Sequence, residues 1–322
     1  MATFDVSVVG ELNLDLIFYG LPEKLELERE HLASDLSITL GSSSAIFTHN
    51  LTLLGNKVGF SSSIGSDPLG EICLQRLGEC GVDLGHVRKF KGKTTGLTVI
   101  LPQGKQRYIL TYPGTMHEMS LKDLELSYVF SAKHLHLSSY FLHKALRPDM
   151  IELFRRAKEA GLTTSLDPND DPEGRWSPDI LLLLKYVDIL LPNEKEACKI
   201  ARTEDVNQAA EALSQKVPLV VIKRGSQGAV VREGKIKLSA FPPVTEMVDA
   251  VGAGDSFDAG FIHQFIRGAK IEDCLKFGNI TGALSVTRKG GTEAFRDAKH
   301  RQSFLGEHGP AATGMPSRSA RI

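Results

Sequence analysis

Strand-like and helix-like segments alternate along most of the 322-residue chain, and this alternation restricts the fold more than any other feature. Short apolar runs indicate buried strands, whereas apolar residues at i, i+4 and i+7, as at Phe47, Leu51 and Leu54, indicate a helix. The predicted strands are 4–10, 57–65, 134–139, 162–168, 186–192 and 218–225, and the predicted helices are 41–54, 68–81, 147–160 and one that starts at Asn193. Strands separated by helices of this length predict an α/β fold, with a mostly parallel sheet covered on both faces.

Two segments break the alternation. Residues 94–112 alternate apolar and polar side chains around a PQGK turn, which is typical of a hairpin exposed on one face. Residues from about 12 to 40 have strand character without an obvious helix. We expect both segments to form a small sheet over a site, as a lid; an extension of the sheet edge is the alternative. The main domain then spans 1–300, and the Gly-, Pro- and Ser-rich tail 301–322 is expected to be frayed.

The charge balance makes nucleic acid and membrane lipid poor candidates as partners. With 38 basic and 39 acidic residues the formal net charge is -1, so the chain has no global positive field. The N-terminus lacks the basic and long apolar regions of a secretory signal. The longest apolar run, around 180–184, is far shorter than the ~20 residues that span a bilayer. We therefore expect a cytoplasmic protein.

Two glycine-containing motifs resemble nucleotide-binding signatures but have the wrong context. GKTT (92–95) resembles the end of a Walker phosphate loop, but Val87 occupies the place of the required earlier glycine and a strand follows. GAGDSF has the first two glycines of a dinucleotide fingerprint, whereas Phe257 occupies the place of the third. Neither motif predicts its usual ligand here.

The segment VDAVGAGDSFDAGF (248–261) predicts an anion site. Strand-like residues 243–248 lead into it and an apolar pattern with helical spacing follows, so Gly252 and Gly254 lie at a helix N-terminus. Unpaired backbone N–H groups and the positive end of the helix dipole favour an anion there, most often phosphate. Asp255 is then either the residue that caps the helix or a base that accepts a proton from the group attacking the phosphate. The motif alone leaves both roles open.

Together with other motifs, this segment resembles the ribokinase-like (PfkB) carbohydrate kinase family, over about residues 4–300. DAVGAGDSFDAGF is similar to the family's C-terminal signature, and GSSSAIFTHNLTLLG followed by IGSDPLGE is similar to its N-terminal signature. LPNEKEA, VIKRGSQGAVV and SVTRKGG occur in the family's order. The resemblance implies a ribokinase-like fold, a three-layer α/β/α domain of Rossmann type with a small β-sheet lid.

The resemblance implies transfer of the γ-phosphoryl group of ATP to a sugar hydroxyl. Asp255 would be the general base, and the backbone amides of Gly252, Ala253, Gly254 and Asp255 would form an anion hole for the transferred group. Such chemistry depends mainly on positioning and on stabilising charge.

The family's sugar-binding positions also have counterparts in this chain. Asn13 and Asp15 are two residues apart, which puts both side chains on one face of a strand; an Asx turn is the alternative. The sugar contacts that the resemblance implies are Asn13, Asp15, Gly41, Ser42, Ser43 and Asp171.

On the nucleotide side, the resemblance implies contacts from Asn193, Lys223, Gly225, Gly228 and Asn279. Glu196 would hold Mg²⁺ through water, and Asp249 with the backbone near Gly291 would hold a monovalent cation, usually K⁺. The NEKE sequence is also compatible with an ordinary helix start that has Glu in its first turn.

Departures from the family pattern bear on the substrate. Ser42 and Ile46 occupy the places of a glycine and a sugar-binding asparagine. Members that bind acidic sugars commonly have arginine in the place of Asp171, and some have lysine in the place of Ser43. We therefore expect a neutral, unphosphorylated sugar, ribose- or fructose-like. The alternatives are a nucleoside kinase, a 2-keto-3-deoxygluconate-type kinase in which Arg175 supplies the positive charge, and a non-catalytic sugar-binding regulator.

The lid sheet also suggests how two copies of the chain would associate. An exposed sheet edge carries unpaired N–H and C=O groups and is a template for pairing with another chain. We therefore expect a homodimer that forms through the lid.

Overall fold

The computed structural model describes residues 2–103 and 106–309, and it confirms the expected α/β architecture with a small separate sheet. The strands are β1 (Phe4–Val9), β2 (Asn13–Tyr19), β3 (Asp35–Leu40), β4 (Val58–Gly65), β5 (Asp83–Phe90), β6 (Gly96–Gln103), β7 (Gln106–Tyr112), β8 (Ala132–Ser138), β9 (Thr163–Asp167), β10 (Ile189–Leu190), β11 (Leu219–Lys223), β12 (Ala229–Glu233) and β13 (Ile236–Ala240). The helices are α1 (Ser43–Leu53), α2 (Pro68–Cys80), α3 (Leu126–Val129), α4 (Met150–Glu159), α5 (Ile180–Leu183), α6 (Glu194–Ala201), α7 (Val206–Ser214), α8 (Ala253–Phe265), α9 (Ile271–Ser285), α10 (Glu293–Arg296) and α11 (Ala298–His308).

Nine strands form the main sheet, in the order β13-β12-β11-β10-β9-β8-β1-β4-β5. The strands from β11 to β5 are parallel, and β12 and β13 add an antiparallel hairpin at one edge. Alternate residues of a strand point to opposite faces. In β11, Val220 and Ile222 pack into a core with α4 to α7, whereas Leu219 and Val221 pack into a second core with α1, α2, α8 and α9. The main domain therefore has three layers.

Four strands form the second sheet, which we call the lid, in the order β3-β2-β6-β7. The central pair β2 and β6 is parallel, and each edge strand is antiparallel to its neighbour. The lid thus combines the two segments that break the alternation in the sequence. Residues 104–105 of the predicted PQGK turn lie outside the described residues.

Two predicted strands differ from the structure. Only Ile189 and Leu190 of the predicted strand 186–192 are in the sheet. The predicted strand at 243–248 is wrong, because residues 241–247 are irregular and pair with no described strand. Val244 is fully exposed there, so its apolar side chain does not mark a core-facing strand.

The end of the chain is more ordered than its composition suggests. The expectation of a frayed tail from residue 301 is wrong for residues 301–308, because α11 continues to His308. The side chain of Asp297 accepts a hydrogen bond from the His300 N–H and caps the helix. Phe304 is buried in a small core with Leu284 and Phe295, which holds α11 against the domain. The remainder of the predicted tail, 310–322, lies outside the described residues.

Within the described residues, every helix is too short or too polar to cross a bilayer.

Candidate active site

A cavity of about 750 Å³ lies between the lid and the carboxyl ends of the main-sheet strands. In parallel sheets these strand ends meet along one edge, where ligands commonly bind. Asp167 ends β9 and Lys223 ends β11, and Asp255 lies in α8; all three line the cavity. Asp15 and Thr98 line it from the lid. The two sheets therefore form a single cavity between them.

Helix α8 directs its N-terminus into this cavity. Gly252 is the N-cap residue with φ 73°, a left-handed conformation that favours glycine, and it provides no side-chain cap. Asp255 is the third residue of the helix, so the alternative that Asp255 caps α8 is wrong. The N–H groups of Gly254 and Asp255 have no acceptor within the described residues. Free N–H groups at a helix N-terminus fit an anion such as phosphate.

The surroundings of Asp255 make its carboxyl group more basic than usual. Burial, followed by the negative charge of Asp167, raises the pKa of Asp255 to about 6, although Lys223 and a hydrogen bond with Ser43 act in the opposite direction. The carboxyl can therefore exchange a proton near neutral pH, as a general base requires.

Asp15 lies on the lid side of the cavity, with Asn13 and Gly41 immediately behind it. Burial, followed by the charge of Asp255, raises the pKa of Asp15 to about 7. A Cβ atom at Gly41 would lie 2.0 Å from Asp15 Oδ1, so a side chain there would displace the Asp15 carboxylate. Asn13 opens β2 and donates to Thr98 Oγ1 at 3.1 Å, which makes the Asx-turn alternative wrong. Of these three predicted sugar contacts, only Asp15 lines the cavity itself.

The turn before α1 also lines the cavity. Ser42, with φ 62°, caps α1 by accepting a hydrogen bond from the Ala45 N–H at 3.2 Å. Ser43 follows it in the cavity wall, and the side chain of Ile46 packs towards Gly252. The predicted sugar contacts Ser42 and Ser43 are thus next to Asp255.

Lys223 lies between two carboxylates beneath the end of α8. Its Nζ is 2.8 Å from Asp167 Oδ2 and 2.9 Å from Asp258 Oδ2. Burial would lower the pKa of Lys223, but the two carboxylates raise it overall, so the side chain is cationic. A Cβ atom at Gly254 would lie 3.5 Å from Nζ, so the charge also faces the helix N-terminus.

Glu196 belongs to a capping box and also lines the cavity. The Asn193 side chain accepts from the Glu196 N–H at 2.9 Å, and the Glu196 carboxylate accepts from the Asn193 N–H at 2.9 Å. The ordinary helix start and the predicted site are therefore compatible at NEKE. Burial, followed by the charge of Asp167, raises the pKa of Glu196 to about 8.

The donor set near Glu196 fits a magnesium ion held through water. Two carboxylates, Glu196 and Asp167, line the same part of the cavity and repel each other, which a divalent cation would relieve. Within residues 2–103 and 106–309, no three His, Cys, Asp or Glu side chains form a direct metal-binding cluster.

The predicted nucleotide contacts lie at the other end of the cavity. Gly225, Gly228 and Asn279 all line it, together with the exposed segment around Val244. Gly225 and Gly228 have φ values of 55° and 80°, and a Cβ atom at Gly228 would lie 2.0 Å from the Ala240 carbonyl oxygen. The Asn279 amide group donates to the carbonyl oxygens of Ala240 and Leu275, so its position is fixed.

The structure does not bring Asp171 to the cavity. Its carboxylate accepts from the backbone N–H groups of Glu173, at 3.0 Å, and Trp176, at 2.7 Å, and is buried in its own loop. The predicted sugar contact at Asp171 is therefore wrong, and the side chain stabilises a turn. The alternative cation Arg175 is exposed and pairs with Glu173.

In the structure, hydrogen bonds join the residues of the expected monovalent-cation site to their neighbours. Asp249 accepts hydrogen bonds from Tyr19 Oη at 2.7 Å, Val251 N at 3.0 Å and Gly290 N at 2.9 Å. The Gly291 carbonyl oxygen accepts from the Asn50 amide at 3.0 Å. Since these oxygens already have donors, the arrangement is a hydrogen-bonded connection between the lid and the loop before α8. Potassium stays a prediction.

Sequence reasoning missed several polar residues at the site. Arg107 of β7 and Asn169 after β9 line the cavity, and Glu11, Asp167 and Asp258 lie in or behind its wall. The pairing of Arg107 with Pro102 puts it on the same lid face as Thr98, so hairpin register could have identified it. The acidic residues had no comparable signal, because their partners are distant in sequence.

The comparison with protein families identifies the class of enzyme to which this chain belongs. The model of the pfkB family carbohydrate kinases matches residues 3–298. The chain therefore belongs to the pfkB family of carbohydrate kinases. The predicted enzyme class, an ATP-dependent sugar kinase, is confirmed by this membership and by the relatives below.

Individual relatives are similar over most of the chain. An uncharacterized sugar kinase of Archaeoglobus fulgidus is 28% identical over 244 residues, which are 76% of this chain and 96% of the relative. The cytidine kinase of Thermococcus kodakarensis is 28% identical over 292 residues, 89% of this chain and 97% of the relative. The structure of Arabidopsis thaliana ribokinase complexed with ribose and ATP superimposes with a TM-score of 0.79 at 28% identity, covering 95% of this chain and 99% of that one.

Proposed function

We propose that this sugar kinase transfers the γ-phosphoryl group of ATP to a sugar hydroxyl with Asp255 as the general base. The observation that carries the proposal is the position of the Asp255 carboxyl in the first turn of α8, beside N–H groups that have no acceptor among the described residues. Burial, followed by the charge of Asp167, raises the pKa of this carboxyl to about 6, which suits a base. A base and an anion site less than one helical turn apart match the two needs of the reaction.

The proposed reaction is a direct transfer. Asp255 takes the proton from the sugar hydroxyl, whose oxygen forms a bond to the γ-phosphorus while the bond to the bridging oxygen breaks and ADP leaves. The N–H groups of Gly254 and Asp255, with Gly252 and Ala253 completing the turn, hold the negative charge of the transferred group. Magnesium held through water by Glu196 would neutralise phosphate charge when bound.

The lid and the turn before α1 receive the sugar in this proposal. Asp15 accepts hydrogen bonds from sugar hydroxyls, and Ser42 and Ser43 lie beside the hydroxyl that reacts. The nucleotide binds at the other end of the cavity, against Gly225, Gly228 and Asn279. Its phosphates lie near Lys223 and Asn193.

The test is Asp255→Asn in an assay of sugar-dependent ADP release. We expect kcat to fall by roughly 10²–10⁴-fold, the usual contribution of a general base. Asp273→Asn is the matched control, because Asp273 is also in the first turn of a helix, α9, but is exposed. A kcat that Asp255→Asn leaves unchanged would remove Asp255 from this role.

We propose a neutral sugar as the substrate, on the basis of the uncharged Ser42 and Ser43 in the cavity wall. Asp171 no longer supports this choice, and Arg107 on the inner lid face favours a second candidate, an acidic or phosphorylated sugar. Turnover of a panel of neutral, acidic and phosphorylated sugars separates the two. If an acidic sugar is the substrate, Arg107→Ala should raise its KM by roughly 10-fold or more, as loss of a charged hydrogen bond does.

A nucleoside is the remaining alternative, which the similarity to the cytidine kinase of Thermococcus kodakarensis supports. The same panel includes cytidine, adenosine and inosine. Turnover of nucleosides without turnover of any sugar would overturn the choice of a sugar.

We also propose that two copies of the chain associate through the lid. Strand register puts five exposed apolar side chains on the outer lid face: Leu36, Ile38, Tyr108, Leu110 and Tyr112, which are 45–57% exposed. The partly exposed apolar side chains of Leu16 and Val99 lie between these two edges on the same face. Such an apolar surface is typical of an interface, and a second copy offers the same surface for a two-fold contact.

Leu110→Lys tests the dimer by light scattering coupled to gel filtration. We expect the wild type to be dimeric and the variant monomeric. Leu182→Lys is the control, because Leu182 is 53% exposed but lies in α5, away from the lid. A monomeric wild type, or a dimer that Leu110→Lys leaves intact, would overturn this proposal.

A further inference from the structure

Glu11 is a buried carboxylate just beyond β1, outside the sequence signatures and outside the reaction described above. It is 2% exposed. Its carboxylate accepts hydrogen bonds from Ser44 Oγ at 2.7 Å, Ser44 N at 3.3 Å and Ser139 Oγ at 2.7 Å. His143 Nε2 lies 3.1 Å from Glu11 Oε2. The other neighbour of Nε2, the Ser138 carbonyl oxygen, is also an acceptor, so Nε2 carries a proton and donates.

The carboxylate is therefore ionised. Burial alone would raise the pKa of Glu11, but the interactions with His143 and the hydrogen bonds from Ser44 and the backbone together lower it. A buried carboxylate is unfavourable unless several donors satisfy it. The donors here come from two parts of the chain, Ser44 at the N-terminus of α1 and Ser139 with His143 in the segment after β8. Glu11 thus adds a polar connection between these two segments, beside the pairing of β1 with β8.

Three non-glycine residues with left-handed backbone are grouped around Glu11. Ser42, Ser139 and Asn169 have φ values of 62°, 58° and 53°. Ser42 Oγ donates to the backbone carbonyl oxygen of Glu11 at 2.8 Å, and Ser44, two residues further on in the same turn, donates to the Glu11 carboxylate. Asn169 Nδ2 donates at 3.1 Å to Ser139 Oγ, which itself donates to the Glu11 carboxylate. Non-glycine residues adopt this conformation when surrounding contacts impose it, and such residues are often found at functional sites.

Ser42 and Asn169 both line the cavity next to Asp255, so the contacts of Glu11 fix part of the proposed sugar site. We infer that Glu11 is a positioning residue that holds Ser42 and Asn169 in the conformation that receives the sugar. The inference rests on the proposed kinase function. Glu11 has no contact with the nucleotide end of the cavity, where Gly225, Gly228 and Asn279 lie. Its effect should therefore fall on the sugar and not on ATP.

The test compares KM values for sugar and for ATP in Glu11→Gln. Glutamine keeps the size of the Glu11 side chain but replaces one carboxylate oxygen by an NH₂ group. The groups that donate to that oxygen then lose their acceptor and face another donor. We expect the KM for sugar to rise roughly 10- to 100-fold, the loss typical of a charged hydrogen bond. The KM for ATP should change less than twofold.

A second variant separates positioning from general stability. The connection from Glu11 to Asn169 runs through the Ser139 hydroxyl, so Ser139→Ala should also raise the KM for sugar and leave the KM for ATP unchanged. Asp188→Asn is the matched control: Asp188 also accepts from a backbone N–H, that of Thr164 at 2.8 Å, and pairs with Lys158, but it lies at the opposite end of the strands. It should lower the melting temperature and leave both KM values unchanged.

The outcomes distinguish this inference from the proposed function. A wild type that phosphorylates no sugar overturns the proposed function and this inference together. If the wild type is active, the inference alone is overturned when Glu11→Gln raises both KM values equally or neither, or when Ser139→Ala leaves the KM for sugar unchanged. A rise in the KM for sugar alone, in both variants, supports it.

Discussion

Asp255 connects the pH dependence of the enzyme to a single residue, because its pKa is raised to about 6 by burial and then by Asp167. A general base acts only when it is deprotonated. We expect kcat/KM for sugar to rise with pH through about 6 and to be constant above about 7, because kcat/KM reports the groups of the free enzyme. Measurement of kcat/KM for sugar from pH 5 to 8, at saturating ATP, tests this. A kcat/KM that stays constant down to pH 5 would contradict the raised pKa.

Glu196 predicts a second pH dependence, in magnesium binding. Burial and Asp167 raise its pKa to about 8, so most of the carboxyl is protonated at pH 7 in the free enzyme. Cations favour the deprotonated form, so the affinity for the magnesium complex of ATP should increase as the pH rises from 7 to about 8.5. Calorimetry in buffers of different ionisation enthalpy should detect proton release on binding. Glu196→Gln should abolish that release; release of the same size from the variant would assign the proton to another group.

Residue roles could be predicted from the sequence only where a motif is local. The glycines and Asp255 lie within four positions of one another, so their common site is encoded in a short segment. Lys223 meets Asp167, 56 residues away, and Asp258, 35 residues away, and neither separation forms a sequence pattern. At Asp171 the sequence suggested a sugar contact that the structure does not show. Its carboxylate accepts hydrogen bonds from backbone N–H groups of its own loop, those of Glu173 and Trp176.

Among the elements, the lid is the one that we expect to respond to sugar. Asp15 and Arg107 reach the cavity from β2 and β7, so a bound sugar should restrain both strands. We predict slower amide hydrogen exchange in residues 96–112 when sugar is added. The hairpin of β12 and β13 is the internal control, because it is at the far edge of the main sheet. Equal slowing in both hairpins, or none in the lid, would contradict the prediction.

The elements themselves were predictable where apolar periodicity and a glycine stop agree, as in α1 and α2. Prediction failed where an element depends on partners. Residues 243–248 have strand-like composition, yet no described strand pairs with them. Helix α11 has an unremarkable sequence, yet burial of Phe304 fixes it. Pairing and burial are properties of the folded chain, which composition alone does not specify.

At the scale of the whole molecule, Lys223 joins three elements of the main domain. It lies at the end of β11 and pairs with Asp167 of β9 and Asp258 of α8. Lys223→Met would leave the buried Asp258 without its cation, and breaking a buried pair from one side costs about 3–5 kcal/mol. We expect a loss of this size in the free energy of unfolding at pH 7, measured with urea. Lys158→Met is the control, because the Lys158–Asp188 pair is 26–36% exposed and should cost less than about 1 kcal/mol.

The pH dependence of that loss provides a further check. Burial raises the pKa of Asp258 and the charge of Lys223 lowers it, so Lys223→Met should raise this pKa further. A group whose pKa is higher in the folded state contributes stability at low pH and loses it as the pH rises. The destabilisation by Lys223→Met should therefore be smaller at pH 5 than at pH 7. A loss that is equal at both pH values would show that Asp258 is not the unpaired group.

Helix α11 also determines how far the C-terminus of this protein can be shortened. Its Phe304 covers the apolar side chains of Leu284 and Phe295, which belong to the last helices of the catalytic domain. A recombinant chain that stops at residue 300, where the sequence motifs end, would present that surface to water and would tend to aggregate during expression. Purification tags and fusion partners therefore belong after His308, and a proteolytic fragment that retains activity should extend at least that far.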